Sequence, residues 1–219
     1  LTTGFWASLS DPTMSTTILD KRAASLNGPG FEIRTNFTGN FPEKLHYDEN
    51  RPPKGSASGI FTKTKFPAGE WHHFAVTRSD PTPIAGYATC TTNSDCSASC
   101  PAEAAQGCIC TNSPLGGKDC VAECTTHSDC PTDGPGKTLV CKEGACRRYS
   151  IIIRGYVDGE PNINSSWNGS YGDLPNDKSL NIGCRGDAAA NNLAHFFLGR
   201  LEELRISDTI RYTGAFDVA

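Results

Sequence analysis

The 219 residues carry a formal charge of −4 and a pI near 5.7, with 37% hydrophobic and 20% charged residues. That length suffices for one large β-sandwich, or for one sandwich with a small appendage, and the composition excludes wholesale disorder. The acidic balance argues against nucleic-acid binding, which needs a concentrated basic footprint; the densest basic run, Lys142 to Arg148, holds only three basic residues and one acid.

No apolar run approaches the roughly 20 residues that cross a bilayer. The chain opens at Leu1 with no charged n-region and no apolar h-region, as expected of a processed chain or a fragment.

Over residues 1–78 the signals are those of short strands between turns. Gly4-Phe5-Trp6-Ala7-Ser8-Leu9 and Phe31-Glu32-Ile33-Arg34 alternate with period two. Turn chemistry separates them at Asp11-Pro12, Asn27-Gly28-Pro29-Gly30, Thr38-Gly39-Asn40 and Arg51-Pro52-Pro53. A further turn, Phe66-Pro67-Ala68-Gly69-Glu70, leads into a strand over 71–78. It sets Trp71, His73, Ala75 and Thr77 on one side and His72, Phe74 and Val76 on the other.

Residues 79–148 change character to cysteine, small polar residues, Pro and Gly. Ten of the 11 cysteines lie here: Cys90, Cys96, Cys100, Cys108, Cys110, Cys120, Cys124, Cys130, Cys141 and Cys146. With too little apolar sequence for a core of its own, this stretch takes its order from cross-links. CxxC pairs are absent and Cys108-Ile109-Cys110 is too close for a zinc knuckle, so the pattern reads as disulfides in an oxidising compartment, extracellular, periplasmic or surface-exposed.

A repeat is visible within it: Cys90-Thr91-Thr92-Asn93-Ser94-Asp95-Cys96 returns as Cys124-Thr125-Thr126-His127-Ser128-Asp129-Cys130. Two stapled units in tandem are expected, the second pairing Cys124 with Cys141 and Cys130 with Cys146. Connectivity as a whole does not follow from spacing.

The β pattern resumes over 149–219. Tyr149 to Val157 is β-branched and aromatic, Asp158-Gly159 is a tight-turn signal, and Leu180 to Gly183 is a short strand. Phe196 to Ile206 reads as two strands or one bent strand, and 162–172 as an exposed polar loop. No long helix is expected anywhere.

The flanking segments resemble the laminin-G-like jelly-roll family of the concanavalin-A-like lectin and glucanase sandwiches. Gly69-Glu70-Trp71-His72-His73-Phe74-Ala75-Val76-Thr77 is similar to its W-H-H strand, Tyr156-Val157-Asp158-Gly159 to its hairpin, and Leu180-Asn181-Ile182-Gly183 to its L-x-I-G strand. Phe197 to Ser207 resembles its closing strand, Arg211 to Phe216 the tail that often follows, and Gly4-Phe5-Trp6-Ala7 an early strand. The resemblance spans about 150 residues outside the insert. It implies an all-β, antiparallel jelly-roll sandwich in two parts, 1–78 and 149–219, interrupted by the stapled insert 79–148. The insert replaces a hairpin tip, a position that tolerates insertion and suits display. Such domains begin with a strand pair that this chain lacks, so either a missing N-terminal segment or another chain is expected to complete the sheet.

The resemblance includes glycoside hydrolases, whose paired carboxylates project from one strand. That motif is absent, and Glu202-Glu203 as neighbours on a strand are expected on opposite faces. His72-His73 are read the same way, one packed and one at the surface. No Ser/His/Asp set, phosphate loop or dinucleotide fingerprint is present, so a non-enzymatic role is expected.

Calcium is the one cofactor the resemblance implies, with the loop aspartates Asp173, Asp177 and Asp187 as candidate ligands of the right hardness. Trp167 and Tyr171, on the polar loop, are candidates to stack on a sugar ring or anchor a protein. Sequons at Asn36, Asn164 and Asn168 would carry glycan in a eukaryotic host. Cys184, the odd cysteine, is left to pair with a missing segment, bridge to another chain, or stay a thiol. The function expected is a secreted or cell-surface recognition and adhesion module for glycan or protein. The alternatives are a subunit of an extracellular assembly or fibre completed by a neighbouring chain, and a glycoside hydrolase relative.

Overall fold

The computed structural model describes residues 1–22, 30–36, 41–50, 58–79, 82–83, 86, 88–102, 104, 106–113, 116–126, 129–131, 139–147, 149–169, 179–187 and 192–218. At 50, 58–59, 82–83, 140, 142, 164–169, 187 and 192 the backbone alone is described. The chain divides into two compact units. One comprises Leu1–Ser79, Ile152–Ser165 and Leu174–Ala219; the other, Asp80–Ile151 and Ser166–Asp173. Among the described residues no helix is long and apolar enough to cross a membrane.

The first unit is an all-β sandwich of two antiparallel sheets. Strands β1 (Thr2–Leu9), β2 (Thr17–Arg22), β3 (Gly30–Thr35), β4 (Leu45–Asn50), β5 (Ser58–Phe61) and β6 (Trp71–Arg78) precede the insert. After it come β12 (Tyr149–Val157) and β13 (Glu160–Gly169), of which 149–151 and 166–169 belong to the second unit, then β14 (Asn181–Ile182), β15 (Arg185–Asp187), β16 (Asn192–Ala194) and β17 (Gly199–Ser207). One sheet runs β13-β12-β6-β1-β17 and the other β14-β2-β3-β4-β5.

Alternation sorts each strand. Thr3, Phe5, Ala7 and Leu9 of β1 face the core, with Phe5 opposite Phe74 and Thr3 opposite Val76 of β6. The facing sheet contributes Leu19, Ile33 and Tyr47, which lie in register across β2, β3 and β4 and are buried. Among the described residues an ion pair joins the two sheets inside this core: Arg78 Nε of β6 donates to Glu49 Oε1 of β4 at 2.7 Å. The Tyr47 hydroxyl donates to the same oxygen at 2.5 Å.

One element differs from the sequence reading, and another resolves an alternative that it left open. Residues 160–169 form strand β13, not a loop, so the segment carrying Trp167 is built into the sheet beside β12. The cause is the turn before it. Asp158 and Gly159 both have positive φ, 52° and 81°, the geometry that folds a two-residue hairpin back onto its partner whatever the polarity of the returning strand. The segment read as two strands or one bent strand is a single strand, β17, with a bulge: Gly4 opposes Arg205 but Trp6 opposes Glu202, and Glu203 has φ 51°.

The second unit contains β7 (Thr82–Pro83), β8 (Cys108–Asn112), β9 (Lys118–Ala122), β10 (Val140–Lys142) and β11 (Ala145–Arg147). Five disulfides hold it: Cys90–Cys110, Cys96–Cys120, Cys100–Cys108, Cys124–Cys141 and Cys130–Cys146. The last two are the pairs anticipated for the second repeat. Its small core is built mainly from half-cystines, with Ala122 and Leu139 among them.

The sequence repeat is a structural duplication. In each copy the two cysteines of the Cys-Thr-Thr-x-Ser-Asp-Cys loop are stapled to a pair of cysteines facing each other on a hairpin. These are Cys110 opposite Cys120 on β8–β9 and Cys141 opposite Cys146 on β10–β11. The residue before the loop bridges the residue before the last cysteine in both, Thr89 with Asp119 and Glu123 with Ala145. The first loop cysteine donates its N–H to the carbonyl two residues before that last cysteine, Lys118 in one copy and Gly144 in the other.

Candidate ligand cleft

Small residues leave room above the outer face of the first sheet. On β1 that face carries Thr2, Gly4, Trp6 and Ser8, with glycine at the centre of the row. Trp6 opposes His73 of β6, and the rings meet edge to face at 5.4 Å. Beside Gly4, β17 contributes Arg205 and, through its bulge, Glu203.

The segment after β17 closes the other wall. Thr2 donates its hydroxyl to the Thr209 carbonyl and accepts the Arg211 N–H. The Tyr156 hydroxyl donates to the Tyr212 carbonyl, and the Phe216 N–H to Gly159. Tyr212 and Phe216 stack at 3.7 Å, with Tyr156 edge-on to both. A cleft of about 140 Å³ results, lined by Trp6, His73, Glu203, Arg205, Arg211, Tyr212, Phe216 and Asp217 among others.

Two carboxylates and two guanidiniums thus face one cleft, so its charge nearly balances. The imidazole of His73 is held below its ordinary range by burial, against the opposite pull of Asp158 and Glu203. It therefore serves as a neutral donor or acceptor at physiological pH. Burial also raises the Tyr156 phenol. Neutral polar groups beside aromatic faces can seat a polyhydroxy ligand, with hydroxyls on the charged groups and C–H edges on the rings.

A second polar constellation lies on the outer face of the other sheet. Asp20, Glu32 and Asp48 stand in one cross-strand row on β2, β3 and β4, each at most 2% exposed. Arg22 bridges Asp20 and Glu32 at 2.7 and 3.0 Å, and Arg34 lies 3.4 Å from Glu32 and 3.5 Å from Asp48. Gly186 donates its N–H to Asp20. Next to the row, burial with the Arg34 cation holds His46 down to about 3. Charges buried and compensated in this way fix strands together. No three of these carboxylates converge on a point that would hold an ion.

The clusters that do converge among the described residues are cysteine sulfurs, Cys90, Cys96 and Cys120, and Cys124, Cys130 and Cys146. All six are oxidised in disulfides and offer no thiolate.

No family model, curated protein or solved structure matches the chain.

The structure gathers few of the residues singled out from sequence. Tyr171, Asp173 and Asp177 lie outside the described residues. Trp167 sits on β13, and Asp187 ends β15, with side chains not described. Asn164 and Asn168 also belong to β13. Asn36 is buried, donating from Nδ2 to the Thr13 carbonyl and accepting the Phe41 N–H, so as folded it is not presented for glycan attachment. Cys184 is a free, half-buried thiol.

The two histidines of β6 differ from the expectation of one packed and one exposed: both are half-buried. His72 Nδ1 lies 2.8 Å from Asp158, and that carboxylate also accepts the His73 N–H. Nor do Glu202 and Glu203 follow strict alternation, because the bulge interrupts it. The cleft had a partial signal in sequence, since Gly4 and Trp6 share a parity on β1 and His73 and Ala75 share one on β6; the register that puts them on one face comes only from the fold. The contribution of the 208–218 segment had none, because its placement depends on hydrogen bonds across more than 50 residues of chain.

Proposed function

We propose that the chain is an extracellular, non-catalytic recognition module of the laminin-G-like jelly-roll type, and that its cleft takes a terminal sugar of a glycan. One observation carries the reading. At about 140 Å³ the cleft is well below the 300–1,000 Å³ of ordinary small-molecule sites, so it suits one projecting group better than an enclosed substrate. Its balanced charge favours an uncharged polyhydroxy group over an anion. Five disulfides support an oxidising, extracellular setting.

The test is a glycan array followed by incubation of the retained glycan with the protein. Retention with no new reducing ends supports the proposal. Release of reducing ends would move the chain to the glycoside hydrolases, and retention of proteins alone would replace the ligand class. Calcium at Asp173, Asp177 and Asp187 belongs to the same proposal; a calcium-dependent rise in Tm, reversed by chelation, is the result expected.

An assembly-subunit reading is favoured by a different observation, the apolar side chains exposed on and beside β17, Phe196, Leu198, Ile206 and Ile210. Large obligate multimers in solution would support it.

A further inference from the structure

Strand β17 has a partner on one side only: it pairs with β1, and no other described strand pairs with it. The register with β1 sorts its side chains. Leu201 opposes Ala7 and Ile206 opposes Thr3, both core-facing, while Glu202 opposes Trp6 and Arg205 opposes Gly4 on the outer face. Leu204, two residues before Ile206, shares its inward side.

That inward row is not covered. Ile206 is 44% exposed, and Leu201 and Leu204 are only half-buried. Of the eight large apolar side chains exposed among the described residues, six lie between 182 and 210. An edge strand with an apolar inner row and unpaired backbone is a template for another strand.

We infer that β17 pairs antiparallel with β17 of a second copy across a two-fold axis. The strand is self-complementary in that register. With the axis at Leu204 and Glu203 counted as the extra residue of the bulge, Leu204 meets its own counterpart. Glu202 then meets Arg205 of the second copy, and Leu201 meets Ile206, each twice. Inward side chains face inward ones, and each carboxylate faces a guanidinium, as an isologous interface demands. The unshifted register of Arg200-Leu201-Glu202-Glu203-Leu204-Arg205 sets Glu against Glu and Arg against Arg, and like charges directly opposite are destabilising. The inference rests on this edge alone and is independent of any ligand in the cleft.

Sedimentation of the full, disulfide-intact chain tests it. A species of twice the 23.4 kDa chain mass is expected, in equilibrium with monomer. Glu202→Arg and Arg205→Glu each place two like-charge pairs at the interface, and each is expected to weaken the dimer by roughly tenfold or more. The combined Glu202→Arg/Arg205→Glu chain restores opposite charges at both pairs and is expected to dimerise like the parent. Rising amide protection on β17 with concentration in the unmodified chain gives a readout that no variant can spoil by misfolding. A monomer at every concentration, single reversals without effect, or failure of well-folded double-reversal chains to dimerise would each overturn the inference.

Discussion

The Glu49 carboxylate is fully buried in the core, where it accepts both Arg78 Nε and the Tyr47 hydroxyl. Removing it takes away the carboxylate that compensates a guanidinium in a low-dielectric interior. Glu49→Ala is therefore expected to cost about 3–5 kcal/mol, the range for breaking a buried pair from one side, measured by denaturant unfolding. A loss below about 1 kcal/mol would mean that solvent reaches Arg78 after all. Asp129 makes the opposite case, a partly exposed carboxylate held mainly by backbone N–H groups. The N–H groups of Thr126 and Thr125, with the Thr125 hydroxyl, hold it down to about 2. Its folded pKa lies below its unfolded one, so its contribution is full above roughly pH 4 and is lost as pH falls through about 2. The Thr126 amide resonance is expected to titrate with a midpoint about 2; a midpoint near 4 would show that the loop does not hold the carboxylate. Asp95 is lowered in the same direction by the same turn in the first repeat.

Among the elements, the Asp158-Gly159 turn does most to shape the cleft. It returns β13 onto β12, its aspartate ties down the start of β6, and its glycine holds the Phe216 N–H. A Cβ on Gly159 would overlap the Phe216 carbonyl oxygen, and the residue sits at positive φ. Gly159→Ala is expected to lower stability by roughly 1–3 kcal/mol and to unseat the Tyr212–Phe216 stack. Calorimetry with aromatic-region NMR checks both effects, and an unchanged Tm would mean that the tail does not depend on the turn. This turn was legible in sequence because Asp-Gly has few other uses between two β-rich runs. Strands β1 and β3 were legible from period-two alternation, β6 from the turn that leads into it, and β12 from its β-branched and aromatic residues. Strands β2 and β4 were not, because Asp20, His46 and Asp48 place polar groups on an outer face that is itself buried. Composition alone makes such strands look like loops. The bulge at Glu203 was hidden too, since nothing in Glu-Glu announces a left-handed residue.

At the scale of the molecule, cross-linking is confined to one unit. All ten paired cysteines belong to Asp80–Ile151, while the sandwich unit holds only the free Cys184. Reduction is therefore expected to abolish amide protection on β8 to β11 while β1, β3 and β6 keep theirs. Loss of protection throughout would show that the sandwich depends on the insert. The duplication explains how so short a stretch repeats its architecture: one loop, one facing cysteine pair and one bridge are used twice. The cleft, in contrast, is assembled by the sandwich from both ends of the chain, with Thr2, Trp6, Arg205 and Tyr212 brought together by β1 and β17. Glycan recognition at that place is the central claim. The direct measurement is amide chemical-shift mapping of the full chain with the glycan that an array retains. The claim predicts shifts concentrated at Gly4, Trp6, Arg211 and Tyr212, and a loss of roughly tenfold or more in affinity for Arg211→Ala, as expected when a charged hydrogen-bond donor is removed. Shifts confined to Asp80–Ile151, with Arg211→Ala binding unchanged, would contradict it and place recognition on the stapled insert.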